Sequence, residues 1–106
     1  MFDGLIPGLA YYAAWLYTWA RAQGLNPRVT SVRRTAAQQE ALYRRYLAGQ
    51  SQFPAAPPGR SLHERGLAFD MVTDDQGRAT GAIWRQMGGT WSPTDWVHYQ
   101  YTGPGT

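Results

Sequence analysis

The chain has 106 residues, 43% of them hydrophobic, including five tryptophans, seven tyrosines and three phenylalanines; this supports one compact domain over residues 1–106 and excludes wholesale disorder. Ten basic residues, all arginine, face seven carboxylates for a formal charge of +3. The arginines are dispersed, so a solvated cationic face is read and no nucleic-acid partner is expected, while the absence of cysteine excludes disulfides, thiolate zinc ligands and a cysteine nucleophile.

Between Gly4 and Ala20 the chain is uncharged and largely apolar. It is preceded by Asp3 rather than a basic residue and is shorter than the roughly 20 residues a spanning helix needs, so neither a secretory leader nor a membrane span is expected. Leu5, Leu9, Tyr12, Leu16 and Trp19 recur at steps of four and three, which predicts one buried helical stripe. Pro7 suits the first turn of that helix and Gly24 its end. Arg28-Val29-Thr30-Ser31-Val32, rich in β-branched residues, predicts a strand. Thr35 with Gln38 three positions later forms a capping box, and the helix it starts should close at Gly49. Gln39, Leu42, Tyr43 and Tyr46 share a face of that helix, so the Gln39 amide needs a partner, either a ligand or the protein's own backbone.

Gly49, Pro54, Pro57, Pro58 and Gly59 punctuate a loop that leads to Ser61. Leu67 to Met71 should then be a strand with Ala68 and Asp70 on one side and Leu67, Phe69 and Met71 on the other. Asp70 is thereby set among apolar neighbours, where a carboxylate must be paired, hydrogen-bonded or bound to a metal. Asp74-Asp75-Gln76-Gly77 reads as a turn, because no calcium-ligand series continues from it. Thr80, Ile83, Trp84 and Met87 outline a short helix ended by Gly88-Gly89. Trp96 to Tyr101 alternates as a strand with Trp96, His98 and Gln100 on one face.

The two histidines each lie close to a carboxylate in sequence. Two imidazoles and one carboxylate are enough for a catalytic zinc with an open position, although by spacing alone two isolated histidines are more often ordinary structural residues. His63-Glu64 is not the helical zinc-protease motif, since Leu67 stands where a second histidine would be.

The pattern Ser61-x-His63-x-x-Gly66-x-Ala68-x-Asp70, followed by Asp95-x-x-His98, resembles the family of zinc D-alanyl-D-alanine carboxypeptidases and L-alanyl-D-glutamate endopeptidases. That family includes the vancomycin-resistance-type carboxypeptidases and several phage endolysins, and its fold is shared by the Hedgehog signalling domain. Upstream, Ser31-Val32-Arg33-Arg34-Thr35 with Gln39 is similar to the family's serine, arginine and glutamine segment, so the resemblance runs from about Gly24 to Tyr101. It implies an α+β fold with a small antiparallel sheet flanked by helices and a zinc site on the sheet face. It further implies that His63, Asp70 and His98 hold the zinc, that Asp95 is the general base, and that Arg34 stabilises the oxyanion. Ser61 and Gln39 would contact substrate or orient the ligands, and Trp91, Trp96 and Tyr99 are candidates for pocket walls or, equally, for the core. Many carboxypeptidase members carry glutamate and an adjacent proline-tryptophan where this chain has Asp95-Trp96-Val97-His98. Together with Gly88-Gly89-Thr90-Trp91 this looks more like the endolysin branch.

The expected function is therefore zinc-dependent hydrolysis of peptidoglycan stem peptides, with the bond between L-alanine and D-glutamate favoured over D-alanyl-D-alanine. The rival from another class is a catalytically silent zinc-binding, wall-binding module on the same fold, against which the retained Asp95 and Arg34 argue. The protein is expected to act as a monomer at the bacterial cell wall, in the periplasm or outside the cell. Lacking an evident leader, it would reach the wall by release from the cytoplasm of the kind phage lysis provides.

Overall fold

A computed structural model describes residues 2, 4–51 and 54–101; Asp3, read above as the flank of the first helix, lies outside them. In chain order the elements are α1 (Pro7–Ala22), β1 (Arg28–Ser31), α2 (Ala36–Leu47), β2 (Ala68–Val72), α3 (Arg78–Gln86), a 3-10 turn over Pro93–Asp95, and β3 (His98–Gln100). The three strands form one antiparallel sheet in the order β1-β2-β3, the α+β arrangement expected.

Period-two alternation divides this sheet into two chemically different faces. Phe69, Met71 and Tyr99 point to one side and are fully buried with Leu9, Ala13 and Leu16 of α1 and Trp84 of α3. Phe69 is the hub: it stacks on Tyr99 at 5.2 Å and meets Phe2 and Trp84 edge-on, geometries that add to simple area burial. Asp70 and His98 alternate with these residues and face the other side. There α2 buries only Gln39. One side of the sheet thus carries the core, and the other carries polar groups.

Two sequence expectations are corrected by the structure. The buried stripe of α1 is Leu9, Ala13, Leu16 and Ala20, whereas Tyr12 is 42% exposed and Leu5 lies buried ahead of the helix. A largely apolar helix, with no charge between Gly4 and Ala20 to mark the water side, admits several stripes; the one buried sets Leu9, Ala13 and Leu16 in the core cluster with Phe69 and Trp84. Strand β3 begins at His98 rather than Trp96. Pro93 opens a 3-10 turn, capped by Ser92 Oγ accepting from the Thr94 N–H, and Trp96 ends that turn in helical backbone (φ −67, ψ −13). Alternation therefore starts only after Trp96, whose side chain packs against the core cluster instead of sharing the His98 face.

The capping box of α2 forms as read, with Thr35 Oγ1 and the Gln38 side chain satisfying each other's backbone N–H groups. Helix α3 is tied differently. The Asp75 carboxylate accepts from the Gly77 and Ala79 N–H groups and from the Thr73 hydroxyl. Burial alone would raise Asp75, but these hydrogen bonds outweigh it and hold the carboxyl below its ordinary value. A depressed folded pKa means stability that is fully present above the unfolded value near 3.9 and is lost as pH falls through the folded value. Asp75→Ala is expected to cost about 1 kcal/mol at pH 7, a Tm fall of about 4–8 °C. In thermal unfolding below about pH 3 the gap from the parent protein should shrink; a gap independent of pH would contradict the assignment.

Candidate metal centre

The centre is built on one rung of the sheet. Pairing sets Asp70 of β2 opposite His98 of β3 and, on its other side, Ser31 of β1, where the register shifts between Val29 and Ser31. Directly opposed residues carry their side chains to the same face. His63 comes from outside the sheet, in the turn between Ser61 and Gly66. Its backbone is clamped there: its N–H donates to Ser61 Oγ at 3.2 Å and its carbonyl accepts from the Arg34 N–H at 3.1 Å. Gly66 closes the turn at φ +72, with its Cα so near the Gly4 carbonyl that a Cβ would lie 2.7 Å from it, so only glycine fits.

These elements bring three atoms together. His63 Nε2 lies 3.0 Å from Asp70 Oδ1 and 3.2 Å from His98 Nδ1, and His98 Nδ1 lies 3.5 Å from the same carboxylate oxygen. Outer contacts decide which atoms face inward. His63 Nδ1 is 2.8 Å from the Val32 carbonyl, which only accepts, so Nδ1 carries the hydrogen and Nε2 is left with a lone pair. His98 Nε2 donates to Gln100 Oε1 at 2.6 Å, which leaves Nδ1 bare. Arg34 Nη2 donates to Asp70 Oδ2 at 2.5 Å, which leaves Oδ1 free to face the two imidazoles.

Two lone pairs and a carboxylate oxygen at 3.0–3.5 Å repel one another unless a cation sits among them. Ligands about 2.0–2.1 Å from a tetrahedral zinc stand about 3.3 Å apart, so the spacing and the donor set both fit that ion. The same demand for positive charge governs titration. Without a metal, protons on the inward imidazole nitrogens can supply that charge: burial would raise Asp70, but hydrogen bonds from the protonated His63 and His98 and the charges of His63 and Arg34 hold it well below the usual carboxylate range. Burial would lower His98, but its contacts with Asp70 and Gln100 and the Asp70 and Asp95 charges raise it.

Arg34 is fixed by three partners: Nε donates to Ser31 Oγ at 2.9 Å, Nη1 to Gln39 Oε1 at 3.0 Å, and Nη2 to Asp70. Gln39, 1% exposed, sends its own Nε2 to the Ala56 carbonyl at 2.8 Å. The chain Ala56, Gln39, Arg34, Asp70 therefore orients the carboxylate. Gln39 finds these partners within the protein. Arg34 retains further N–H groups beyond these three.

Asp95 ends the 3-10 turn and lines a cavity of about 420 Å3 together with Arg34, Gln39, Ser61, His63 and His98. Burial pushes its carboxyl up, and the Asp70 charge adds to this against the pull of His98, His63 and Arg34. The aromatic candidates fall elsewhere. Tyr99 is corrected from pocket wall to core: it alternates with His98, is 0% exposed, shares its hydroxyl with Thr80 at 2.7 Å, and is pushed up to about 12 by burial. Trp91, 8% exposed, and Trp96 belong to the same cluster, with Trp91 Nε1 donating to the Trp96 carbonyl.

Gln100, which the sequence placed on the His98 face without a role, holds the outer nitrogen of His98. Its signal was the i, i+2 spacing from His98 on a strand. Gln100→Ala is expected to lower zinc affinity about 10–100-fold, because the inward nitrogen of His98 loses its fixed tautomer; competition with a chromogenic chelator measures this, and unchanged affinity would contradict the role.

The sequence matches the family of VanY, D-alanyl-D-alanine carboxypeptidase, over residues 7–102. The chain belongs to the VanY family. Among curated proteins none matches the chain closely enough to count. Among solved structures, VanYB in complex with D-Alanine-D-Alanine superposes with a TM-score of 0.64 at 24% identity, covering 93% of this chain and 72% of that one. VanY from a VanB-type resistance cassette in complex with Zn(II) gives 0.64 and 24%, covering 93% and 73%. The LdcB LD-carboxypeptidase gives 0.71 and 19%, covering 93% and 66%. At these identities the structures speak to the fold, which is that of the DD-peptidases. As a VanY-family protein whose donor set fits the ion, the chain is a zinc-dependent peptidase of peptidoglycan.

Proposed function

We propose that the protein hydrolyses the bond between L-alanine and D-glutamate in peptidoglycan stem peptides, with His63, Asp70 and His98 as zinc ligands and Asp95 as general base. The observation that carries this reading is the cavity shared by Asp95 with His63 and His98, which puts a half-buried carboxylate beside an open face of the ligand cluster.

Held there, zinc supplies Lewis acidity that polarises a carbonyl and brings the pKa of a water near neutrality. Asp95 accepts a proton from the attacking water and returns it to the amine nitrogen as the carbon–nitrogen bond breaks, leaving a carboxylate and an amine. The free N–H groups of Arg34 point to stabilisation of the developing oxyanion, while its bond to Asp70 keeps the ligand carboxylate in place. Ser61 and Gln39 line the same cavity, Ser61 as a substrate contact and Gln39 as the anchor of Arg34.

An internal cut is favoured over terminal trimming because space continues on both sides of the cluster. A second cavity of about 310 Å3, lined by Thr30, Arg34, Asp70, Asp95 and His98, shares walls with the first and with a third of about 640 Å3 between β1 and α2. A peptide running through needs such room on both sides of the scissile bond. Among the described residues no helix is long and apolar enough to cross a membrane, and the site of action proposed is the cell wall.

Digestion of defined muropeptides with mass detection tests this. The expected products are a fragment ending in L-alanine and a peptide beginning with D-glutamate. A chelator should stop the reaction and added zinc restore it. Release of D-alanine alone would contradict the endopeptidase assignment, and cleavage that survives chelation would contradict the zinc mechanism.

A further inference from the structure

The cavity of about 640 Å3 beside the metal centre is bordered by Arg33, Arg34 and Arg45, with Thr30, Gln38 and Asp70 among its other walls. Its charges do not balance. Asp70 is the single carboxylate in the lining, and it is already held by Arg34 and the two histidines. Elsewhere on the surface Arg28 pairs with Asp74 and Arg44 with Glu40, but Arg33 and Arg45 make no ion pair among the described residues. Glu64 lines a separate, smaller hollow together with Arg33 and Arg34. Its carboxylate oxygens accept from the Gly59 N–H at 3.0 and 3.1 Å, which fixes it on the loop.

Two uncompensated guanidiniums around a concavity focus positive potential into it. A guanidinium presents a planar fork of N–H groups that matches the two oxygens of a carboxylate. The cavity adjoins the metal centre: Arg34 and Asp70 line both it and the hollow that contains Asp95 and His98. An anion seated there lies within reach of a substrate held at the centre, and on a peptide that anion is a carboxylate.

We infer that Arg33 and Arg45 form an acidic subsite that takes the free carboxylate of the substrate residue next to the scissile bond, so that this peptidase selects acidic over amidated stem peptides. This rests on the peptidase reading above and adds the substrate class. Where the bond cut is that between L-alanine and D-glutamate, the carboxylate is the one D-glutamate leaves free when its other carboxyl continues the chain.

The test uses two synthetic stem peptides that differ only in a carboxylate or a carboxamide on the D-glutamyl residue. With zinc-loaded protein the carboxylate form should show about a tenfold higher kcat/KM, mainly through KM, and added salt should reduce the preference. In the Arg33→Gln, Arg45→Gln double variant the preference should collapse to about one, with one zinc still bound and cooperative thermal unfolding retained. Equal kcat/KM for both peptides in the parent protein, or a preference that survives in the double variant, would overturn the subsite. If the parent protein cut neither peptide, the peptidase reading would fail instead. Calorimetric binding of the two peptides would then decide the subsite: about tenfold tighter binding of the carboxylate form, lost in the double variant, supports it, and equal affinity overturns it.

Discussion

Asp95→Ala is expected to bind one zinc per chain and to cut stem peptides about 10²–10⁴-fold more slowly than the parent protein. The expectation follows from position. Asp95 shares a cavity with two of the proposed ligands yet does not belong to the cluster whose atoms converge, which comprises His63, Asp70 and His98. Removing it should therefore erase proton transfer and leave the ion in place. Asp95→Asn separates charge from shape: the amide fills the same space but takes up no proton, so it should be as slow as alanine. Loss of zinc together with activity would make Asp95 a ligand, and full activity would remove it from the chemistry.

Asp70→Ala should have the second large effect, and on two properties at once. It deletes a proposed ligand, so zinc affinity should fall by more than the roughly 10–100-fold that losing an outer contact costs. It also strands the Arg34 guanidinium, 14% exposed and bonded to Asp70 Oδ2; breaking a buried pair from one side costs about 3–5 kcal/mol. Asp70→Asn distinguishes the two. Its side-chain oxygen still accepts from Arg34, so stability should recover in part, while zinc binding stays weak without the negative charge. Denaturant unfolding and zinc titration of both variants give the comparison; an alanine variant as stable and as tight for zinc as the parent would contradict both roles.

The site was legible because it is made of scarce residues. Two histidines and seven carboxylates in 106 residues leave few ways to build a metal centre, and alternation along Ala68–Val72 put Asp70 on the face opposite Phe69 and Met71, as the structure has it. The capping box at Thr35 was legible because it is local. What misled was residue type without direction. Aromatic content says how much area a side chain buries and nothing about which face of the sheet it covers; Tyr99 alternates with His98 and so went to the core. The stripe of α1 was ambiguous because the helix carries no charged residue before Arg21 to mark solvent. The partners of Arg34 were illegible for another reason: Ser31, Gln39 and Asp70 converge only after β1, β2 and α2 have docked.

X-ray absorption at the zinc edge, on protein loaded with one equivalent of the metal, bears most directly on the central claim. Four-coordinate zinc with two imidazole nitrogens and two light oxygen donors at about 2.0–2.1 Å, and one imidazole fewer in His98→Ala, is the predicted result. A spectrum with no imidazole, or one that His98→Ala leaves unchanged, would contradict a centre formed by His63, Asp70 and His98.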